Sequence, residues 1–90
     1  MSNSIKEVFN KFKVRKRISV RTEDMHKTSV ILAKPLCDAA TNFCVNKGTT
    51  VSELCRMIDC ARPKDLPRTE AIRIVFSQLY FDPEGFQLND

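Results

Sequence analysis

Arg17, Ser19 and Arg21 stand at every second position of the stretch RISVRTE, with Ile18 and Val20 between them. In an extended chain successive side chains point to opposite faces. The alternation therefore predicts a strand with one apolar face and one face of hydrogen-bond donors. Two guanidinium groups and a hydroxyl in a row suit an acceptor-rich partner, since arginine can bond a guanine edge bidentately. The surrounding charges have the same sign. Residues 6–21 hold seven Lys or Arg (Lys6, Lys11, Lys13, Arg15, Lys16, Arg17 and Arg21) against Glu7 alone, whereas residues 22–90 hold eight basic and ten acidic residues. The overall charge of +4 thus conceals a concentrated positive arm. Such an arm favours a polyanion, most often nucleic acid. A solvated tail, or an arm for an acidic protein partner, are the other readings of the same charges.

Other chemistry is sparse. The four cysteines are spaced C-x6-C-x10-C-x4-C, at 37, 44, 55 and 60. Zinc sites use short pairs with two to four intervening residues, and only the last pair approaches that. The spacing points to no metal site, and the cysteines read as small buried hydrophobes. Cys37 and Cys44 fall on one helical face. Asp24 and the single histidine, His26, resemble a base with its orienting acid but read as a surface pair. There is no glycine-rich phosphate loop. Nothing points to catalytic residues, an enzyme or a cofactor.

The elements that must position these residues follow from periodicity and punctuation. Ninety residues allow one domain, and 42% hydrophobic composition fits a globular one. Ile5, Val8, Phe9 and Phe12 recur at helical spacing, so residues 3–13 form a short amphipathic helix or an arm that orders on binding. Residues 14–22 read as the strand. Residues 23–34 are ambiguous: Thr28–Ile31 is nearly all β-branched, which favours a strand, yet Met25, Ser29, Leu32 and Leu36 fall on one helical stripe. Pro35 suits the first turn of a helix, with Leu36, Ala40, Phe43 and Cys44 on its apolar side and Gly48 just past its end. Thr50 and Glu53 have the spacing of a capping box for a second helix, with the stripe Val51, Leu54, Cys55, Ile58 and Ala61. After RPKDLP a third helix runs from Arg68 to about Phe81 on Ile72, Val75, Phe76 and Leu79. An acidic, turn-rich end offers Phe86 and Leu88 as anchors.

A strand, a helix, a glycine turn and a helix in a small basic chain resemble the ribbon-helix-helix family. Asn46-Lys47-Gly48-Thr49-Thr50-Val51-Ser52-Glu53-Leu54 is similar to that family's turn and the start of its second helix. The resemblance covers about residues 17–61. It implies an intertwined homodimer whose paired strands enter the DNA major groove. It also implies phosphate contacts from Lys47, Thr49 and Thr50, where a helix start offers free N–H groups. The family's spacing from Gly48, however, places the strand at Thr28–Leu32, where Ser29 and Ile31 would face outward beside Lys27. RISVRTE has the better chemistry but lies about ten residues too early. Either RISVRTE is the ribbon and residues 23–34 lengthen the first helix, or TSVILA is a structural strand with RISVRTE beside it or acting as an arm.

The expected architecture is mainly α with one or two short N-terminal strands, a ribbon-helix-helix-like dimer with an extra C-terminal helix. Residues 1–16 form a basic arm or short helix, 17–61 the core, and 62–90 the C-terminal helix and acidic tail. Ile18, Val20, Leu36, Phe43, Leu54 and Ile58 would form the dimer core. Arg17, Ser19 and Arg21 would read bases; Lys11, Lys13, Arg15 and Lys16 would neutralise phosphates. The function expected is that of a sequence-specific binder of double-stranded DNA: a repressor, an antitoxin or a plasmid or phage accessory factor. The alternative is a small interaction module or inhibitor that docks on an acidic protein surface, with residues 68–90 meeting a second protein. No apolar run approaches a membrane span or a secretory signal, so a cytoplasmic setting is expected.

Overall fold

The chain's first helix starts at a reciprocal cap. The Ser4 hydroxyl accepts from the Glu7 N–H and the Glu7 carboxylate accepts from the Ser4 N–H, both at 3.2 Å, which satisfies two otherwise orphaned donors. Helix α1 follows over Ile5–Phe12. The computed structural model describes residues 4–88, so residues 1–3 of the expected arm and 89–90 of the expected tail lie outside it.

Strand β1 (Arg15–Arg21) and strand β2 (Lys27–Ala33) pair antiparallel as a hairpin. The Thr22 N–H donates to the His26 carbonyl and the Met25 N–H to the Thr22 carbonyl. The His26 N–H donates to the Thr22 hydroxyl at 3.2 Å. Glu23-Asp24-Met25 form the loop, and Met25 takes φ 67°, the left-handed conformation typical of the last position in a three-residue hairpin loop. At the open end the Lys34 N–H donates to the Val14 carbonyl at 2.7 Å. Residues 23–34 therefore do not lengthen a helix; the β-branched run prevails over the helical stripe, and Met25 is left exposed in the loop. The second arrangement holds: RISVR pairs beside TSVILA, so a two-stranded ribbon is complete within one chain.

Helix α2 (Lys34–Lys47) carries Pro35 in its first turn and ends at Gly48, whose φ of 71° aims its N–H back at the Cys44 and Val45 carbonyls. Helix α3 (Val51–Ala61) begins where the Thr50 hydroxyl accepts from the Glu53 N–H at 3.1 Å. The expected reciprocal half of that box is not made, because the Glu53 carboxylate turns to Arg56. Helix α4 (Arg68–Phe81) has the bounds its sequence predicts. A short 3-10 turn, Pro83–Gly85, then brings Phe86 edge-on to Phe43 with ring centroids 5.3 Å apart.

The inner face of the hairpin packs on the helices, α3 crossing β1 and α2 touching both strands. Val20, Val30 and Leu32 meet Leu36 and Phe43 of α2, Leu54 and Ile58 of α3, and Ile72, Phe76 and Leu79 of α4 in one cluster. Each such side chain, fully buried, contributes about 1.5–3 kcal/mol. Of the six residues expected at a dimer core, Val20, Leu36, Phe43, Leu54 and Ile58 are buried within the single chain and Ile18 is half-buried against the same cluster. Cys37, Cys44 and Cys55 are buried there too, while Cys60 and Ala61, expected inside, are exposed at the end of α3. No described helix is long and apolar enough to cross a membrane.

Candidate nucleic-acid interface

The pleat of the hairpin sorts its side chains. Val20, Val30 and Leu32 are buried on one side, so Arg15, Arg17, Ser19 and Arg21 lie on the other. The register sets Arg17 opposite Ile31, Ser19 opposite Ser29 and Arg21 opposite Lys27. The three residues predicted to read bases are thus brought together on one outward face. Arg15, predicted to touch phosphate, shares it. Lys27, Ser29 and Ile31 form a second outward row alongside.

Four cations and two hydroxyls on this face are accompanied by no acid; Glu23 and Asp24 are confined to the loop at the tip. Among the described residues Arg15, Arg17 and Lys27 have no ion-pair or side-chain hydrogen-bond partner. Arg21 spends one donor on the Met25 carbonyl at 3.1 Å, which leans it over the loop. Outward side chains recur every ~6.8 Å along a strand, roughly two base-pair steps of a duplex.

The other predicted phosphate contacts are dispersed. Lys11 lies on α1 beside a shallow cleft that includes Val14, Lys34, Asp38 and Tyr80. Lys13 caps the C-terminus of α1. Lys16 has the inward parity of β1 yet is exposed, its Nζ 4.0 Å from Asp38. Asp38 bonds Lys34 more closely, at 2.8 Å, and that hydrogen bond holds the Lys34 ammonium above its ordinary pKa. At the α2–α3 turn Lys47 lies over the Phe43 ring, 5.8 Å from its centroid. Thr49 follows Gly48, and the Thr50 hydroxyl is already occupied by the Glu53 N–H. Asp24, within the loop, and His26, next to it, are both exposed.

The ribbon is fixed to the helical body at its tip. Asp59 of α3 is buried, and its carboxylate accepts from the Glu23 N–H at 2.8 Å, from Arg68 Nε at 2.8 Å and from Arg62 Nε at 3.0 Å. Arg62 also bonds the Leu66 carbonyl at 2.9 Å, which braces the α3–α4 link. The Arg68 hydrogen bond, with those from the Glu23 amide and Arg62, outweighs burial and holds the Asp59 carboxyl at about 2. Burial pushes the thiols of Cys37 and Cys44 up, and that of Cys55 to about 12, disfavouring the reactive thiolate at all three.

Comparisons of the chain with family models, with curated proteins and with solved structures find no match. Sequence reasoning missed two parts of this site. The place of Lys27 opposite Arg21, on the same ribbon as RISVR, required the register, which follows once residues 23–25 are recognised as a hairpin loop. The Asp59 anchor required tertiary structure; its one local signal is Arg62, three residues on.

Proposed function

We propose that this protein binds double-stranded DNA by laying the β1–β2 ribbon in the major groove. The observation that carries the proposal is the outward face itself: Arg15, Arg17, Arg21 and Lys27 with Ser19 and Ser29, and no acid among them. The major groove admits a two-stranded ribbon, and here one chain supplies both strands. Arg17, Ser19 and Arg21 read base edges, while Arg15, Lys27 and the lysines of α1 neutralise phosphates. The order β2, α2, Gly48, α3 supports the likeness to the ribbon-helix-helix family, although the ribbon there joins two chains. We propose a homodimer as well, joined away from the ribbon. Exposed Phe9 and Phe81 support this, for they belong to the two elements that the edge-on Phe12–Tyr80 contact brings together. The role that fits is that of a regulator: a repressor, an antitoxin or an accessory factor.

Fluorescence anisotropy with a labelled duplex at two salt concentrations tests this. Binding that weakens steeply with salt is expected, and absent or salt-insensitive binding refutes it. Sedimentation at the same concentrations reports the dimer.

A second reading is favoured by a groove of about 590 Å³ between α3, α4 and the tail, lined by Met57, Ile58, Leu66, Ile74, Val75 and Phe86, with Arg56 and Arg62 also at its walls. A protein-interaction module would seat an apolar segment with acidic flanks there. Ile74→Glu would abolish such docking and leave duplex binding intact.

A further inference from the structure

One residue of the outward ribbon face does not fit a surface made only to meet phosphates. Ile31 lies in the middle of β2, 47% exposed, with the buried Val30 and Leu32 on either side and pointing the other way. The core gains little from it. Its cross-strand partner is Arg17, and residues directly opposite in an antiparallel pair hold their Cβ atoms about 5 Å apart. An apolar branched side chain and a free guanidinium therefore project side by side from the centre of a face whose other side chains, apart from the buried Ala33 at its end, are Arg, Lys and Ser.

Duplex DNA has a matching pair of features. The only apolar group on the floor of the major groove is the thymine C5-methyl, and the commonest arginine target there is the O6/N7 edge of guanine. Neighbouring base pairs are stacked about 3.4 Å apart, so two side chains whose Cβ atoms stand about 5 Å apart, one of them a long arginine, can reach adjacent bases. We propose that the Arg17–Ile31 pair is a specificity element that selects a guanine beside a thymine, Arg17 bonding the guanine edge and Ile31 packing on the thymine methyl. The inference rests on the major-groove reading above and adds which base features the ribbon selects.

Replacing thymine by deoxyuridine removes only the methyl group, so it isolates the contact. The full chain is used to select duplexes from a random pool, and each thymine of the selected site is then replaced singly. One replacement is expected to weaken wild-type binding about fourfold, the worth of one buried methyl, and to weaken Ile31→Ser binding by less than twofold. Ile31→Val, which keeps a branched apolar side chain, is expected to retain the penalty, and its loss there overturns the assignment. Equal penalties in wild type and Ile31→Ser, or no sensitive thymine in a selected site, overturn the assignment and leave the DNA reading standing. Recovery of no duplex from the pool overturns both.

Discussion

The carboxylate of Asp59 accepts a 2.8 Å hydrogen bond from the main-chain N–H of Glu23, thirty-six residues earlier in the chain. One buried anion thereby holds the ribbon tip against α3, while Arg62 and Arg68 neutralise it. A buried charge with its partners in place is tolerated, but removing one partner leaves the others uncompensated. Asp59→Ala should therefore cost about 1–3 kcal/mol in urea unfolding, chiefly from the unpaired Glu23 amide, since Arg62 and Arg68 are partly exposed to solvent. Asp59→Asn, which keeps an acceptor for the Glu23 amide, should cost less.

The same group sets an acid limit. Its folded pKa, about 2, is below the ordinary value of 3.8. A depressed carboxylate pKa contributes stability in full above the unfolded value, and loses it as pH falls through the folded one. Thermal melts of the wild type should thus lose on the order of 2 kcal/mol between pH 4 and pH 2 from this group. Asp59→Asn should show a shallower decline over that window. Parallel curves for the two proteins would assign the acid sensitivity elsewhere.

Among the described residues two backbone positions are left-handed, and only one is glycine. Gly48 has nothing within 4 Å of where a Cβ would stand, so Gly48→Ala costs only the backbone conformation, about 1–2 kcal/mol. Met25 already bears that cost at φ 67°. Met25→Gly should raise stability by up to about 1 kcal/mol, since glycine also gains freedom in the unfolded chain. Denaturant midpoints that move in opposite directions for the two variants check both.

Cys60 is exposed, whereas Cys37, Cys44 and Cys55 are enclosed by the core. A chromogenic disulfide reagent should titrate one thiol per native chain and all four in denaturant. Rapid reaction of a second native thiol would mean that the α2–α3 packing opens readily.

These same positions explain how much was legible in the sequence. Pro35, Gly48 and Thr50 punctuate α2 and α3 through rules that act within one turn of helix, so those boundaries could be read directly. The hairpin was obscured because its loop lacks the glycine or asparagine expected where φ is positive; Met25 stands there instead. Without that loop Lys27 and Ile31 belong to a separate strand with poor base-reading chemistry, and with it they stand beside Arg21 and Arg17. Asp59 was hidden for a different reason. It adjoins Ile58 at the margin of the α3 stripe, and two of its partners, Glu23 and Arg68, come from other elements.

On the proposed DNA face the cations should separate by role. Arg17 lies at the centre with no protein partner among the described residues, so Arg17→Ala should remove about 1–3 kcal/mol from binding to the preferred site and relax the preference at one base pair. Arg15 and Lys27 stand towards the two ends of the face. Arg15→Ala and Lys27→Ala should weaken all duplexes alike, and each should reduce the slope of log K against log salt by about 0.9, the share of one neutralised phosphate. Arg21 is an internal control, because its bond to the Met25 carbonyl ties it to the loop. Arg21→Ala should combine a loss of affinity with a measurable loss of hairpin stability, whereas Arg17→Ala should melt as the wild type does. If Arg17→Ala weakens preferred and random duplexes equally, the ribbon holds DNA without reading it, and sequence preference must come from the shape of the duplex.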